Sequence, residues 1–197
     1  AYQLATSAGI SMADSKIEKI SGQYHTFLTK RFDRDNGKRI HFASAMTMTG
    51  NTEDIIKESA PSYLDIVEFI ENYGADVEAN LHQLWRRILF NIAISNTDDH
   101  LRNHGFILTE KGWILSPAYD LNPSIEKEGL SLNIDMDDNA LDFDLAKSVG
   151  MYFRLSEKEM QTIINEVLTV VKDWKSMAQQ IGIKNQEIEL MAGAFKW

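Results

Sequence analysis

Between Asn96 and His104 the chain reads Asn96-Thr97-Asp98-Asp99-His100-Leu101-Arg102-Asn103-His104, and a further carboxylate, Asp120, follows seventeen positions after Asn103. These side chains supply hard oxygen donors and a candidate base. Moving a phosphoryl group from a nucleotide to a hydroxyl requires a carboxylate facing the attacking oxygen. It also requires further oxygens that hold Mg²⁺ against the phosphates. Asp98 is expected to orient a Ser or Thr hydroxyl and accept its proton, and Asn103 and Asp120 are expected to bind Mg²⁺. Asp99 stands one residue nearer to Asn103 and is expected to face solvent or to support the site from behind.

Each of these residues also has a plainer reading. An Asp and an Asn five apart are common in loops, where both bond to nearby backbone. Asp120 lies between Pro117 and Pro123 and could be a turn residue. His100 and His104, with Asp98 and Asp99, could instead form a zinc or di-metal hydrolase site. Arg86-Arg87 is read as a solvated edge or a salt bridge rather than a phosphate site. Met46, Met48, Met136 and Met151 are read as core or gap-filling residues, and Asp135-Met136-Asp137-Asp138 as a solvated loop.

Elements on both sides of the loop must hold it. Leu81, Leu84, Trp85, Ile88, Leu89 and Ile92 recur at helical spacing, with Phe90, Ala93 and Ile94 adding apolar surface, so a central buried helix runs into the loop. After the loop, residues 105–109 and 113–115 are joined by Glu110-Lys111-Gly112, the pattern of a short hairpin ending in Ser116-Pro117-Ala118-Tyr119-Asp120. A helix is expected from Pro61 through Leu64, Val67 and Ile70 to a stop at Gly74. Ser156 and Glu159 form a capping box that opens a long helix through Met160, Ile163, Ile164, Val167, Val171 and Trp174 towards Gly182, and a last helix is expected over 185–195.

The amino-terminal part reads as a short helical end from Tyr2 to Ala8 and then strand-like runs at 15–20 and 25–32, joined through Ser21-Gly22-Gln23-Tyr24. Residues 32–38 turn polar, as a connection between layers or lobes would, and 39–50 fits no single pattern. The fold class expected is α+β, predominantly α-helical, with a small β-hairpin region at its N-terminal end.

Composition narrows the function classes. The chain has 197 residues, enough to bury about 70% of its unfolded surface. Its formal charge of −9 argues against direct nucleic-acid binding. The absence of cysteine removes disulfides, thiolate zinc sites and thiol nucleophiles, and fits a cytoplasmic protein. No apolar run is long enough to span a membrane, and the first residues lack the pattern of a signal peptide.

The separation of Asp98 from Asn103, followed by a hairpin and a second metal-binding Asp, matches the order of parts in protein kinases. Leu89-Phe90-Asn91, Asn96-Thr97-Asp98-Asp99-His100-Leu101-Arg102-Asn103-His104 and Ser116-Pro117-Ala118-Tyr119-Asp120-Leu121 together resemble the HipA-like kinases, toxin components of bacterial toxin–antitoxin modules. Thr29-Lys30-Arg31-Phe32-Asp33-Arg34 looks like the segment joining that family's two lobes, and the likeness weakens after Pro123. The resemblance implies a protein-kinase-like C-terminal lobe over 35–197, with 1–34 a remnant of the upper lobe and the hinge. It implies ATP and Mg²⁺ as cofactors, with Asp98 as proton acceptor and His100, Leu101, Arg102 and Asn103 along the phosphates. Asn103 and Asp120 would hold the metal, Tyr119 would adjoin them, and Lys30, Arg31 and Phe32 would meet the nucleotide at the hinge.

By the same resemblance the substrate is a Ser or Thr of a protein, and an antitoxin-like DNA-binding protein is the expected partner. The family's Gly-rich phosphate loop and strand lysine have no counterpart here, since no G-x-G-x-x-G or P-loop pattern occurs. The chain is therefore expected to be either a fragment of a longer kinase or a non-catalytic, nucleotide-binding pseudokinase module. A metal-dependent phosphohydrolase is the third reading.

Overall fold

The computed structural model describes residues 1–126 and 128–197. Helix α1 (Tyr2–Ser7) leads to an antiparallel hairpin, β1 (Ser15–Glu18) with β2 (Thr26–Thr29), in the register Ser15↔Thr29 to Glu18↔Thr26. This is the hairpin expected from the sequence, with shorter strands. The polar connection contains a second, very short hairpin, β3 (Arg34–Asp35) with β4 (Lys38–Arg39). Asn36 and Gly37 at its tip have φ of 46° and 79°, the left-handed pair that a tight two-residue turn demands.

The segment that fits no single pattern resolves into β5 (Phe42–Ser44) and a one-turn helix, α2 (Ala45–Met48). Helix α3 (Glu53–Glu58) is capped by Thr52, and α4 (Tyr63–Tyr73) opens on a capping box between Ser62 and Asp65 and stops at Gly74, as expected. Helix α5 (Val77–Ala93) is the centre of the core: Leu81, Leu84, Trp85, Ile88, Leu89, Phe90, Ile92 and Ala93 are all fully buried. Burial of a Leu or Ile of this kind stabilises a fold by about 1.5–3 kcal/mol.

The loop after α5 feeds β6 (Gly105–Thr109) and β7 (Gly112–Leu115), which join β5 in an antiparallel sheet of order β5-β6-β7. Downstream lie α6 (Phe143–Ser148), a 3-10 turn at Gly150–Phe153, α7 (Glu157–Lys172), α8 (Trp174–Gln180), α9 (Asn185–Met191) and a closing 3-10 turn at Ala192–Ala194. Helix α7 packs on α5, where Arg86 pairs with Glu166 at 2.7 Å.

Two expected helices are shorter in the fold. The single helix through Trp174 breaks at Asp173, and the one expected over 185–195 becomes α9 plus a 3-10 turn. The two breaks meet in the fold, where Trp174 and Phe195 stack with centroids 4.1 Å apart and ring planes only 10° apart. The C-terminus in turn reaches the start of the candidate loop, where Ser95 Oγ donates to the Ala194 carbonyl at 2.8 Å.

Candidate active site

Helix α5 ends at Ala93, and Ser95 takes a left-handed backbone conformation, φ 51°, that turns the chain into the loop. The Asn96 amide closes onto the Asn91 carbonyl at 2.8 Å, and Asn96 Nδ2 donates to Asn91 Oδ1 at 3.0 Å. Asn91 thus ties the last turns of the helix to the loop.

The two adjacent carboxylates part company here. Asp98 is exposed, whereas Asp99 is fully buried. Asp99 Oδ2 accepts from Tyr63 Oη at 2.6 Å and from Asn91 Nδ2 at 2.9 Å, and His104 Nε2 lies 2.7 Å from it. Of the roles expected for Asp99, the solvent-facing one is therefore wrong: it is the internal acceptor onto which α4, α5 and both ends of the loop converge. Burial first, and then the nearby Asp99 carboxylate, push the Tyr63 phenol well above its usual pKa, which keeps it a hydrogen-bond donor.

Asn103 is also buried, and its position is set from inside the loop. Its amide N–H donates to the His100 carbonyl at 2.8 Å, and its side-chain Nδ2 donates to the Asp98 carbonyl at 3.3 Å. With Nδ2 so engaged, Oδ1 is the atom left to act as an oxygen ligand. Of the other loop residues, Leu101 is buried in the core and contributes backbone, its carbonyl accepting from Met46 N–H at 3.2 Å. The Arg102 guanidinium pairs with Glu53 on α3. His100, Leu101 and Arg102 form one wall of a cavity of about 180 Å³ completed by Met46, Ile56, Pro61 and Leu132. A larger, open concavity at Asp76–Ala79, His82 and Arg154 lies at the opposite end of α5 from the loop.

Asp120 is brought up by the hairpin. The Ser116 amide bonds to the Gly105 carbonyl at 2.8 Å, and Ala118 exchanges backbone bonds with Ser11 and Ala13 at 2.7 and 2.8 Å, which fixes the run before Asp120 between two neighbours. Asp120 itself is exposed with φ 59°, a left-handed conformation that costs an ordinary residue about 1–3 kcal/mol. Asn122 Nδ2 donates to its Oδ1 at 2.7 Å.

The segment after β2 meets the same place through Phe32. Its ring stacks on Tyr119 at 5.8 Å and packs edge-on to Phe42 at 5.4 Å. Tyr119 Oη donates to the Arg102 carbonyl at 2.8 Å, and burial raises its pKa to about 12. Phe32, Tyr119 and Arg102 therefore form one continuous wall. Lys30 and Arg31 have exposed side chains, and Arg31 together with Arg34 grips Asp33 and holds its carboxyl well below the usual range.

Two other expectations change. Arg87 is neither a solvated edge nor half of a salt bridge: it is 2% exposed and donates to the Ser116 carbonyl at 2.6 Å, while its neighbour Arg86 does form an ion pair. The His100–His104 metal pair does not assemble, because His104 is turned inward onto Asp99 and Tyr63. Among the described residues no group of three or more His, Cys, Asp or Glu converges in a metal-binding arrangement. The oxygen set of Asn103 Oδ1 and the Asp120 carboxylate suits Mg²⁺, which takes few protein ligands and completes its shell with phosphate and water oxygens.

Comparison with known proteins fits this geometry. The family model of the HipA-like C-terminal domain matches residues 1–174. The chain belongs to that family. A relative named "Putative kinase Y4mE", from Sinorhizobium fredii, is 25% identical over 145 residues, which are 69% of this chain and 34% of the relative. The HipA-like fold is seen again in a Shewanella oneidensis HipA solved with HipB and operator DNA, at TM-score 0.77 and 19% identity over 98% of this chain and 51% of that one. The Helicobacter pylori proinflammatory kinase CtkA matches at TM-score 0.53 and 14% identity over 95% of this chain and 84% of its own. The chain thus spans about a third of the curated relative and about half of the HipA chain. The fold class expected from the sequence, a helix-dominated α+β lobe of kinase-like type, is the one these neighbours share.

The sequence assigns no site role to three further residues here: Arg87 is expected at a solvated edge or in a salt bridge, Asn91 appears only within a segment of resemblance, and Tyr63 is not singled out. Asn91 and Arg87 carried a signal, since each is a polar residue set inside a helix that is apolar on nearly every side. Tyr63 carried none, being thirty-six residues from the carboxylate that it serves.

Proposed function

We propose that the protein to which this chain belongs transfers a phosphoryl group from ATP to a Ser or Thr of a protein substrate. Asp98 accepts the hydroxyl proton, and Asn103 and Asp120 hold Mg²⁺. The observation that carries this reading is the locking of Asn103 onto the Asp98 carbonyl, which fixes base and metal-side amide in one turn while the Asp98 side chain faces outward. Asp120, on the segment that follows the hairpin, is the second proposed ligand and has a left-handed backbone conformation. Phe32 and Tyr119 supply an aromatic wall at the hinge for the base of the nucleotide, with residues 30–32 beside it and His100–Asn103 along the phosphates. Bound Mg²⁺ would neutralise charge developing on the transferred group.

On this reading residues 1–34 are the lower edge of an upper lobe and its hinge, and 35–197 are the lobe that carries catalysis. The Shewanella HipA is solved with HipB and operator DNA, and an antitoxin-like DNA-binding protein is proposed as partner here. With a formal charge of −9, this chain would reach DNA through such a partner rather than directly. Among the described residues no helix is long and apolar enough to cross a membrane. The absence of cysteine supports a cytoplasmic setting as a proposal.

The test uses the full-length protein with labelled ATP and Mg²⁺. Transfer of label to protein Ser or Thr by wild type and its loss in Asp98→Ala support the kinase reading. Mg²⁺-dependent ATP binding without transfer would sink it in favour of a nucleotide-binding module, and phosphate-ester hydrolysis without ATP would favour a hydrolase.

A further inference from the structure

Among the described residues, Arg87 is the sole Lys or Arg that is buried, and it has no carboxylate within ion-pair distance. Enclosing a guanidinium without a salt-bridge partner is expensive, and a neutral donor would serve a single carbonyl as well. Its placement gives the cost a purpose. Arg87 Nη2 donates at 2.6 Å to the carbonyl of Ser116, whose own amide is bonded to Gly105 on β6. Ser116 is where the chain leaves β7 for Asp120, so this residue is held through its N–H by the sheet and through its carbonyl by α5.

The same guanidinium lies within electrostatic reach of two groups on opposite sides of the site. One is Asp99, which anchors the loop bearing Asn103, and the other is Tyr119, which precedes Asp120. Neither Arg87 Nε nor Asp99 Oδ1 has a hydrogen-bond partner among the described residues, so the charge acts on the loop through space. Burial lowers the pKa of Arg87 to about 10, which still leaves it charged at neutral pH.

We infer that Arg87 is a positioning residue for the metal site: by clamping the Ser116 carbonyl and facing Asp99, it sets the separation between Asn103 and Asp120. The inference rests on the proposed reading of Asn103 and Asp120 as Mg²⁺ ligands. Residues that orient metal ligands from behind typically change metal affinity or activity roughly 10- to 100-fold when altered. Lysine is of similar length but lacks the planar fork and gives up its proton more readily when buried, so Arg87→Lys should disturb the clamp without opening a large cavity.

The experiment is a Mg²⁺ titration of ATP binding and of phosphoryl transfer in the full-length protein, comparing wild type, Arg87→Lys and Pro117→Gly. The last variant loosens the clamped segment without touching a buried charge. Both variants are expected to need roughly tenfold more Mg²⁺ or above for half-maximal binding. Their nucleotide affinity in the absence of Mg²⁺ should stay within about twofold of wild type. A Mg²⁺ midpoint unchanged in folded Arg87→Lys overturns the inference. If that variant does not fold, an unchanged midpoint in Pro117→Gly overturns it instead. A wild type whose ATP binding is indifferent to Mg²⁺ removes the proposed function itself, an outcome recognisable before any variant is made.

Discussion

Asp98 and Asp99 are neighbours in the chain with opposite surroundings, and their substitution should separate chemistry from folding. Asp98 is exposed, so Asp98→Ala is expected to leave the unfolding free energy within about 0.5 kcal/mol of wild type while abolishing phosphoryl transfer. Asp99→Ala strips Tyr63, Asn91 and His104 of their common acceptor, and should cost about 3–5 kcal/mol, read by urea unfolding. Tyr63→Phe removes one donor from that acceptor and is expected to cost about 1–3 kcal/mol. Equal stability losses at 98 and 99 would contradict this assignment.

Among the elements, the sheet β5-β6-β7 and the proposed hinge are coupled through Phe42, which packs against Phe32 and Tyr119. A Cβ on Gly105 would come within 2.3 Å of the Phe42 ring, and the backbone of Ala43 stands 3.1 Å away. Gly105→Ala must therefore push Phe42 out of its packing with Phe32 and Tyr119. A loss of about 1–3 kcal/mol is expected, together with weaker ATP binding in the full-length protein, measured by calorimetry. Leu84→Ala, in the fully buried face of α5, should cost about 2–5 kcal/mol but leave the hinge packing alone. The breaks that end α7 and α9 early belong to the same level: Trp174 and Phe195, which lie just beyond them, stack across twenty-one residues of chain, a contact that helical periodicity does not report.

For the molecule as a whole, the hinge should be sensitive to acid. Arg31 and Arg34 hold the Asp33 carboxyl below the value of an unfolded chain. For a carboxyl depressed on folding, the contribution to stability is present above the unfolded pKa of about 3.9 and is lost as pH falls from there towards the folded value. Unfolding followed between neutral pH and the acid limit should show this loss in wild type and a flatter profile in Asp33→Asn. If the two profiles coincide, the clamp contributes nothing to the fold. The full-length protein with ATP and Mg²⁺ at about 100 times the dissociation constant should gain about 2.7 kcal/mol, seen as a raised melting temperature.

What could be read along the chain was local or periodic. The five-residue step from Asp98 to Asn103, the helical spacing of apolar residues in α5, the capping box at Ser156, and the hairpin leading to Asp120 all depend on neighbours within a few turns. Those features were enough to indicate a kinase-like lobe and to select the residues that could do its chemistry. The inward turn of Asp99, the burial of Arg87 against Ser116, and the aromatic wall of Phe32, Phe42 and Tyr119 could not be read that way. Each includes a pairing of groups at least twenty-nine residues apart, and whether a polar side chain finds such a partner or meets water is settled when the whole core closes around α5.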